Sequence, residues 1–144
     1  MTAVRTSPAW PLQVALVAAL AADAGIVALL DHARGLRIFD GLAPGGTPLP
    51  YVTIGDGTEG RADTFGRPGA AGRLRLHVWA PGPGRAAAVA IDTEIRRVLD
   101  GVRVAVTGHT MVRGVLTLTA SFVDPDGATH HRVLDYETTT LVAL

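Results

Sequence analysis

The stretch His77–Gly101, HVWAPGPGRAAAVAIDTEIRRVLDG, constrains the fold more than any other part of the chain. It is entered by an alternating strand, Arg73 to Ala80, in which Leu74, Leu76 and Val78 face one side and Arg73, Arg75, His77 and Trp79 the other. Beyond the two glycines comes a helix whose apolar stripe is Ala87, Ile91, Ile95, Val98 and Leu99. Arg85, Asp92, Arg96 and Asp100 lie away from that stripe, and Asp92 and Arg96 form an exposed i,i+4 pair. Pro83 or Gly84 starts the helix, and Gly101 is placed to end it. A half-buried strand joined so closely to an amphipathic helix buries both apolar faces by laying the helix on a sheet.

The corner itself, Gly82-Pro83-Gly84-Arg85-Ala86-Ala87, fits a G-x-G-x-x-A dinucleotide fingerprint. That chemistry needs a second parallel strand ending in an acid about 20 residues beyond the glycines. The segment read as the next strand, Val102 to Val106, ends in Thr107, and Asp100 precedes it. The chain has no lysine, so it has no phosphate-binding G-x-x-x-x-G-K loop either. The glycines therefore read as a strand-to-helix corner. A small nucleotide-binding enzyme using Gly82 and Gly84 is the alternative from a different functional class.

The remaining segments place this unit in an α+β domain spanning 1–144. Residues 1–10 form an N-terminal arm; Leu12, Leu16, Ala19 and Leu20 then recur at helical spacing, and Ala24 to His32 continues or kinks from that helix. The apolar run Val14–Ala22 resembles the core of a secretory signal, but Pro8 and Pro11 stand at its entry. Asp23 and Gly25 interrupt it before the roughly 20 apolar residues of a membrane span, so a core helix is expected and no membrane. Short strands follow at Leu36–Gly41 and Tyr51–Gly57, and Gly57 to Gly72 reads as a long, polar, glycine-rich loop. "GVLTLTASFV" and "HRVLDYETTTLVAL" are joined by Asp124-Pro125-Asp126-Gly127, a turn in which Pro fixes φ and Gly accepts a positive φ. The expected architecture is a mainly antiparallel sheet of four to five strands with two principal helices on one face and a C-terminal hairpin.

No catalytic constellation emerges. With no cysteine, thiol nucleophiles, disulfides and Cys-ligated metals are excluded. His32, His77, His109, His130 and His131 show no metal-ligand spacing, and adjacent His130 and His131 on a strand point to opposite faces. Ser121 lies within a strand and lacks a nucleophile elbow. Asp56, Glu59 and Asp63, set among Arg61 and Arg67, read as a solvated loop. Thirteen arginines balance thirteen acids, so bulk charge favours no polyanionic partner. No cofactor or metal is expected.

A resemblance adds what these residues do not state. The Ala/Leu-rich helix, "RIFDGLAPGGTPLPYVTIGDG", the glycine-rich stretch, "LRLHVWAPGPGRAAAVAIDTEIRRVLDG" and "DPDGATHHRVLDYE" occur in an order that resembles the tail-completion family of tailed phages. The similarity runs from about Leu12 to Leu141. Its most specific pieces are Pro50-Tyr51-Val52 with Ile54-Gly55, Leu76-His77-Val78-Trp79 with its glycine corner, and the Asp124–Gly127 turn. The resemblance implies a structural, non-enzymatic virion protein: a tail terminator whose subunits close into a ring, usually of six. That ring would cap the tail tube, stop its polymerisation and join it to the head connector. Implied partners are other copies of the chain, the tube protein, the connector or stopper protein and the tape-measure protein, with DNA passing through the lumen without sequence-specific binding. The implied location is the bacterial cytoplasm during assembly and then the neck of a phage, prophage or gene transfer agent particle. A head-closure protein of the same neck is the nearest alternative. Glu59, Arg61, Asp63, Phe65 and Arg67 in the long loop, with Asp124 and Asp126 in the hairpin turn, are the expected assembly residues.

Overall fold

The computed structural model describes residues 4–144, so Met1 to Ala3 of the N-terminal arm lie outside the described residues. Helix α1 spans Ala9–Ala21, with Pro11 in its first turn, and α2 spans Ala24–Leu30. Asp23 caps α2 by accepting a hydrogen bond from the Ile26 amide, and the two helices bend 88° at this break. No single helix among the described residues is long and apolar enough to cross a membrane. In α1 it is Leu12, Leu16 and Leu20, one helical turn apart, that reach the core.

A small hairpin of β1 (Asp31–His32) and β2 (Gly35–Leu36) leads into the main sheet. That sheet comprises β3 (Ile38–Asp40), β4 (Tyr51–Arg61), β5 (Gly69–Pro81), β6 (His109–Val123) and β7 (Thr129–Val142), in the order β3-β4-β5-β7-β6. All neighbours are antiparallel except β3 and β4, so the sheet is mixed at one edge. Helix α3 (Ala86–Leu99) carries the chain from β5 over to β6, and β7 then enters the gap between those two strands. A dinucleotide unit would instead place two parallel strands side by side.

The alternation read in β5 holds. Leu76, Val78 and Ala80 are fully buried beneath α3, together with Val52 and Ile54 of β4 and Leu134 and Tyr136 of β7. From α3 itself Ala88, Ile91, Ile95 and Leu99 enter this core, each large aliphatic contributing roughly 1.5–3 kcal/mol by burial.

The structure corrects four readings. Gly57–Gly72 is not a long loop: β4 and β5 pair as far as Arg61 and Ala70, leaving a short turn at its end. Glycines hid this strand from a composition-based reading, yet they are what lets it pair closely. A Cβ on Gly57 would lie 2.9 Å from the Arg73 carbonyl oxygen, and one on Gly72 2.7 Å from that of Thr58. Second, Val102–Val106 is irregular rather than a strand; it lays Val104 and Val106 against the core as it returns to β6. Third, Ala88 and not Ala87 heads the buried stripe of α3.

The fourth correction concerns charge. Asp92 is only 3% exposed, because the helix presses it toward β6 and β7. There Arg132 donates Nε to its Oδ2 at 2.6 Å, and Arg96 donates to Oδ1 at 3.0 Å. Arg96 also reaches Thr119, and Arg132 reaches Ser121. An i,i+4 pair that looked like surface decoration is an ionic fastening between helix and sheet.

Candidate functional site

Three parts of the molecule could carry its function: the β4–β5 turn, the sheet face opposite the helices, and the glycine corner with its adjoining β6–β7 turn. Each is built differently.

The β4–β5 turn is braced from several sides. Asp63 accepts two hydrogen bonds from the Arg5 guanidinium, at 2.7 and 2.8 Å, one from Arg61 Nε at 2.7 Å and one from the Gly69 amide at 3.0 Å. Arg5 is the chief reason its carboxyl titrates far below the usual carboxylate range, followed by the Gly69 amide. Glu59 accepts from Ser7, while Arg67 donates to the Val142 carbonyl at 2.8 Å. At the very tip Thr64 and Arg67 exchange backbone hydrogen bonds around Phe65 and Gly66, both at positive φ (49° and 75°), the pattern of a type I′ turn. A phenylalanine is a poor residue for that conformation, and here it is fully exposed.

On the open face a row of rings crosses the sheet: Phe39, Tyr51, Trp79, His131 and Phe122 from five successive strands. Trp79 and His131 stack with centroids 3.7 Å apart, and Phe122 meets His131 edge-on at 4.5 Å. His77 Nδ1 and His131 Nε2 share a hydrogen bond of 2.8 Å, and Asp56 Oδ2 lies 3.5 Å from His77 Nε2. Burial, then the nearby His77 and His130, pushes His131 down to about 4. Beside this row Asp135, fully buried, is held by Arg75 at 2.8 and 3.2 Å, which keeps its carboxyl below the ordinary range.

The glycine corner has a packing role. The Gly82 amide donates to the Ala128 carbonyl at 2.7 Å, so it is not free for a phosphate oxygen. A Cβ there would meet the His130 amide nitrogen at 3.1 Å, which explains glycine at this site. Next to it, Asp126 accepts from the Ala128 and Thr129 amides and the Thr129 hydroxyl, closing the β6–β7 turn, and Gly127 takes φ of 70°.

Of the residues singled out from sequence, Glu59, Arg61, Asp63, Phe65 and Arg67 lie together at one end of the sheet, and Asp124 and Asp126 at the other. The span from Gly69 to Pro81 along β5 puts these ends roughly 40 Å apart. Trp79, His131 and Asp92 were not anticipated, since their partners come from strands whose register no local pattern reveals. The Arg5 strap was missed for the same reason.

The sequence profile of tail completion protein gp17 matches residues 14–141. The chain belongs to that family. It is a family of structural rather than catalytic proteins, and a tail-completion role follows from membership. Among solved structures, a chain of the native gene transfer agent virion shares the fold with a TM-score of 0.82 and 21% identity, covering 95% of this chain and 99% of that one. The gp17 protein of bacteriophage SPP1 matches with a TM-score of 0.60 and 24% identity, covering 94% and 96%. No protein of curated function matches the tail-completion chain in sequence.

Proposed function

We propose that this tail-completion chain is a tail terminator: a subunit of a closed ring, most simply of six copies, that caps the tail tube, stops its growth and presents a surface to the head connector. Copies of the chain, the tube protein, the connector or stopper protein and the tape-measure protein are its partners, and DNA traverses the lumen without being read. The particle neck is then its working location.

The braced β4–β5 tip carries this reading. A monomeric protein gains nothing from a fully exposed phenylalanine held at positive φ by a strapped-down turn, whereas an assembly contact does. Glu59, Arg61, Asp63, Phe65 and Arg67 are assigned to that contact, with Asp124 and Asp126 at the opposite end facing a different neighbour. The neutral overall charge suits a passage through which DNA must slide.

Deleting the gene from a particle-producing strain is the test. Electron micrographs should then show tubes of uncontrolled length without attached heads. Tubes of normal length without heads would point to head closure instead, and normal, headed particles would remove both assignments.

A further inference from the structure

Two large apolar side chains far from the chain ends stand almost free of the molecule: Phe65, fully exposed, and Leu42, 87% exposed. They differ in setting. Phe65 is a projection on a rigid tip, while Leu42 stands at the rim of a hollow of about 580 Å³ on the open face, walled by Tyr51, Trp79 and His77. That space readily admits a phenyl ring and flat aromatic walls suit it.

Charge agrees with shape. At the tip Arg61 donates only its Nε to Asp63, leaving the outer guanidinium nitrogens without a hydrogen bond among the described residues. In the hollow, Asp56 is 78% exposed at its side chain, and its nearest ionic neighbour is the His77 ring at 3.5 Å. A second hollow, of about 480 Å³, lies between the start of α1 and the β4–β5 hairpin. Asp56 stands on the wall that the two hollows share, and the other acids here are engaged: Asp40 accepts from Gln13 and Glu59 from Ser7. What distinguishes the open-face hollow is its wall of neighbouring rings, Tyr51, Trp79 and His77 beside Asp56, whereas Trp10 is the single aromatic lining the other.

The tip cannot fill its own hollow. Thr53 in the wall and Thr64 at the tip are eleven residues apart on an extended path, roughly 35 Å. We infer that Phe65 of one copy inserts into the Leu42–Tyr51–Trp79 hollow of the next copy, with Arg61 set against Asp56, and that this is a repeating contact between subunits. Because projection and hollow are different surfaces of one chain, the contact is heterologous and leaves each added copy with a free end until the arrangement closes. This rests on the ring reading above and supplies the contact that reading lacks.

The absence of cysteine makes the test direct. Thr64→Cys labels the tip and Ala43→Cys the rim, and both leave Phe65 and Leu42 in place. The purified full-length variants are mixed, oxidised and resolved by mass, with Ala9→Cys marking the other hollow. The expected product is the 43–64 dimer, about ten-fold above 43–43, 64–64 or 9–64. Adding Phe65→Asn, which suits the type I′ turn, should lower its yield about ten-fold. Arg61→Glu should lower it about three-fold, and Asp56→Arg on the facing copy should restore it. Dominance of 9–64 or of like-with-like dimers overturns the contact, as does absence of the 43–64 product. If the unmodified chain still sediments as a ring in that case, the terminator reading survives without this contact. If 43–64 forms but the chain sediments only as open filaments, the contact stands and the ring falls.

Discussion

Single side chains in this protein do work that their residue types do not advertise. Asp92 is the sharpest case, because its carboxylate sits between Arg96 and Arg132 and is nearly sealed from water. Removing it leaves Arg132, with a side chain only 17% exposed, uncompensated. Asp92→Ala should therefore destabilise by about 3 kcal/mol in urea unfolding, comparable with Ile95→Ala at about 2–5 kcal/mol. An exposed i,i+4 pair would change stability by only a few tenths. His131 gives a pH signature. Its folded pKa of about 4 lies below the ordinary 6.5, so between those values the unfolded chain takes up a proton that the folded one refuses. This contribution is complete above pH 6.5, declines as pH falls and levels off below about 4. Stability measured at pH 5 should lie about 2 kcal/mol below that at pH 7.5, and His131→Phe, which keeps the stack on Trp79, should remove most of the difference. An unchanged pH slope in the variant would clear His131 of responsibility.

Elements show where a linear reading succeeds. Helix α3 was legible because its apolar residues repeat at one period and terminate at glycine, and β5 because its alternation is regular. The Asp124–Gly127 turn was legible because Pro, Asp and Gly each have a fixed conformational meaning there. The hairpin beyond Gly57 was not, since Gly57, Glu59, Gly60, Gly69 and Gly72 have loop chemistry: the first three gain strand character by pairing with β5, and Gly69 and Gly72 of β5 pair in turn with β7, which is distant in sequence. Nor could Asp92 be judged from its helix alone, because burial is decided by β6 and β7. The charged cluster around Asp63, proposed here as a contact, could be noticed from composition, but its bracing by Arg5 spans 58 positions. The tip itself allows a prediction. Left-handed backbone disfavours a side-chain-bearing residue by about 1–2 kcal/mol, so Phe65→Gly should raise the unfolding free energy by about 1 kcal/mol, read from the urea midpoint. A loss of stability would mean that Phe65 packs on its own molecule after all.

At the scale of the whole molecule, the sheet is joined across long distances: β5 pairs throughout with β7, and β7 throughout with β6. Leu134 and Tyr136, at the centre of the core, belong to this strand. A chain stopped after Val123 should consequently be unfolded by circular dichroism rather than form a four-stranded remnant, since two interior strand edges and the core beneath them would be open. Retention of a cooperative melt by that fragment would show that the helices and β3–β6 suffice. The same insertion has a consequence in time. β7 leaves the ribosome after every strand it joins, so during synthesis the sheet waits, unformed, for the strand that unites β5 with β6. The face that carries Trp79 and its aromatic neighbours comes into being only when that strand arrives. A chain abandoned part-way through translation would then have no finished surface on that face, because of the order in which its own strands are made.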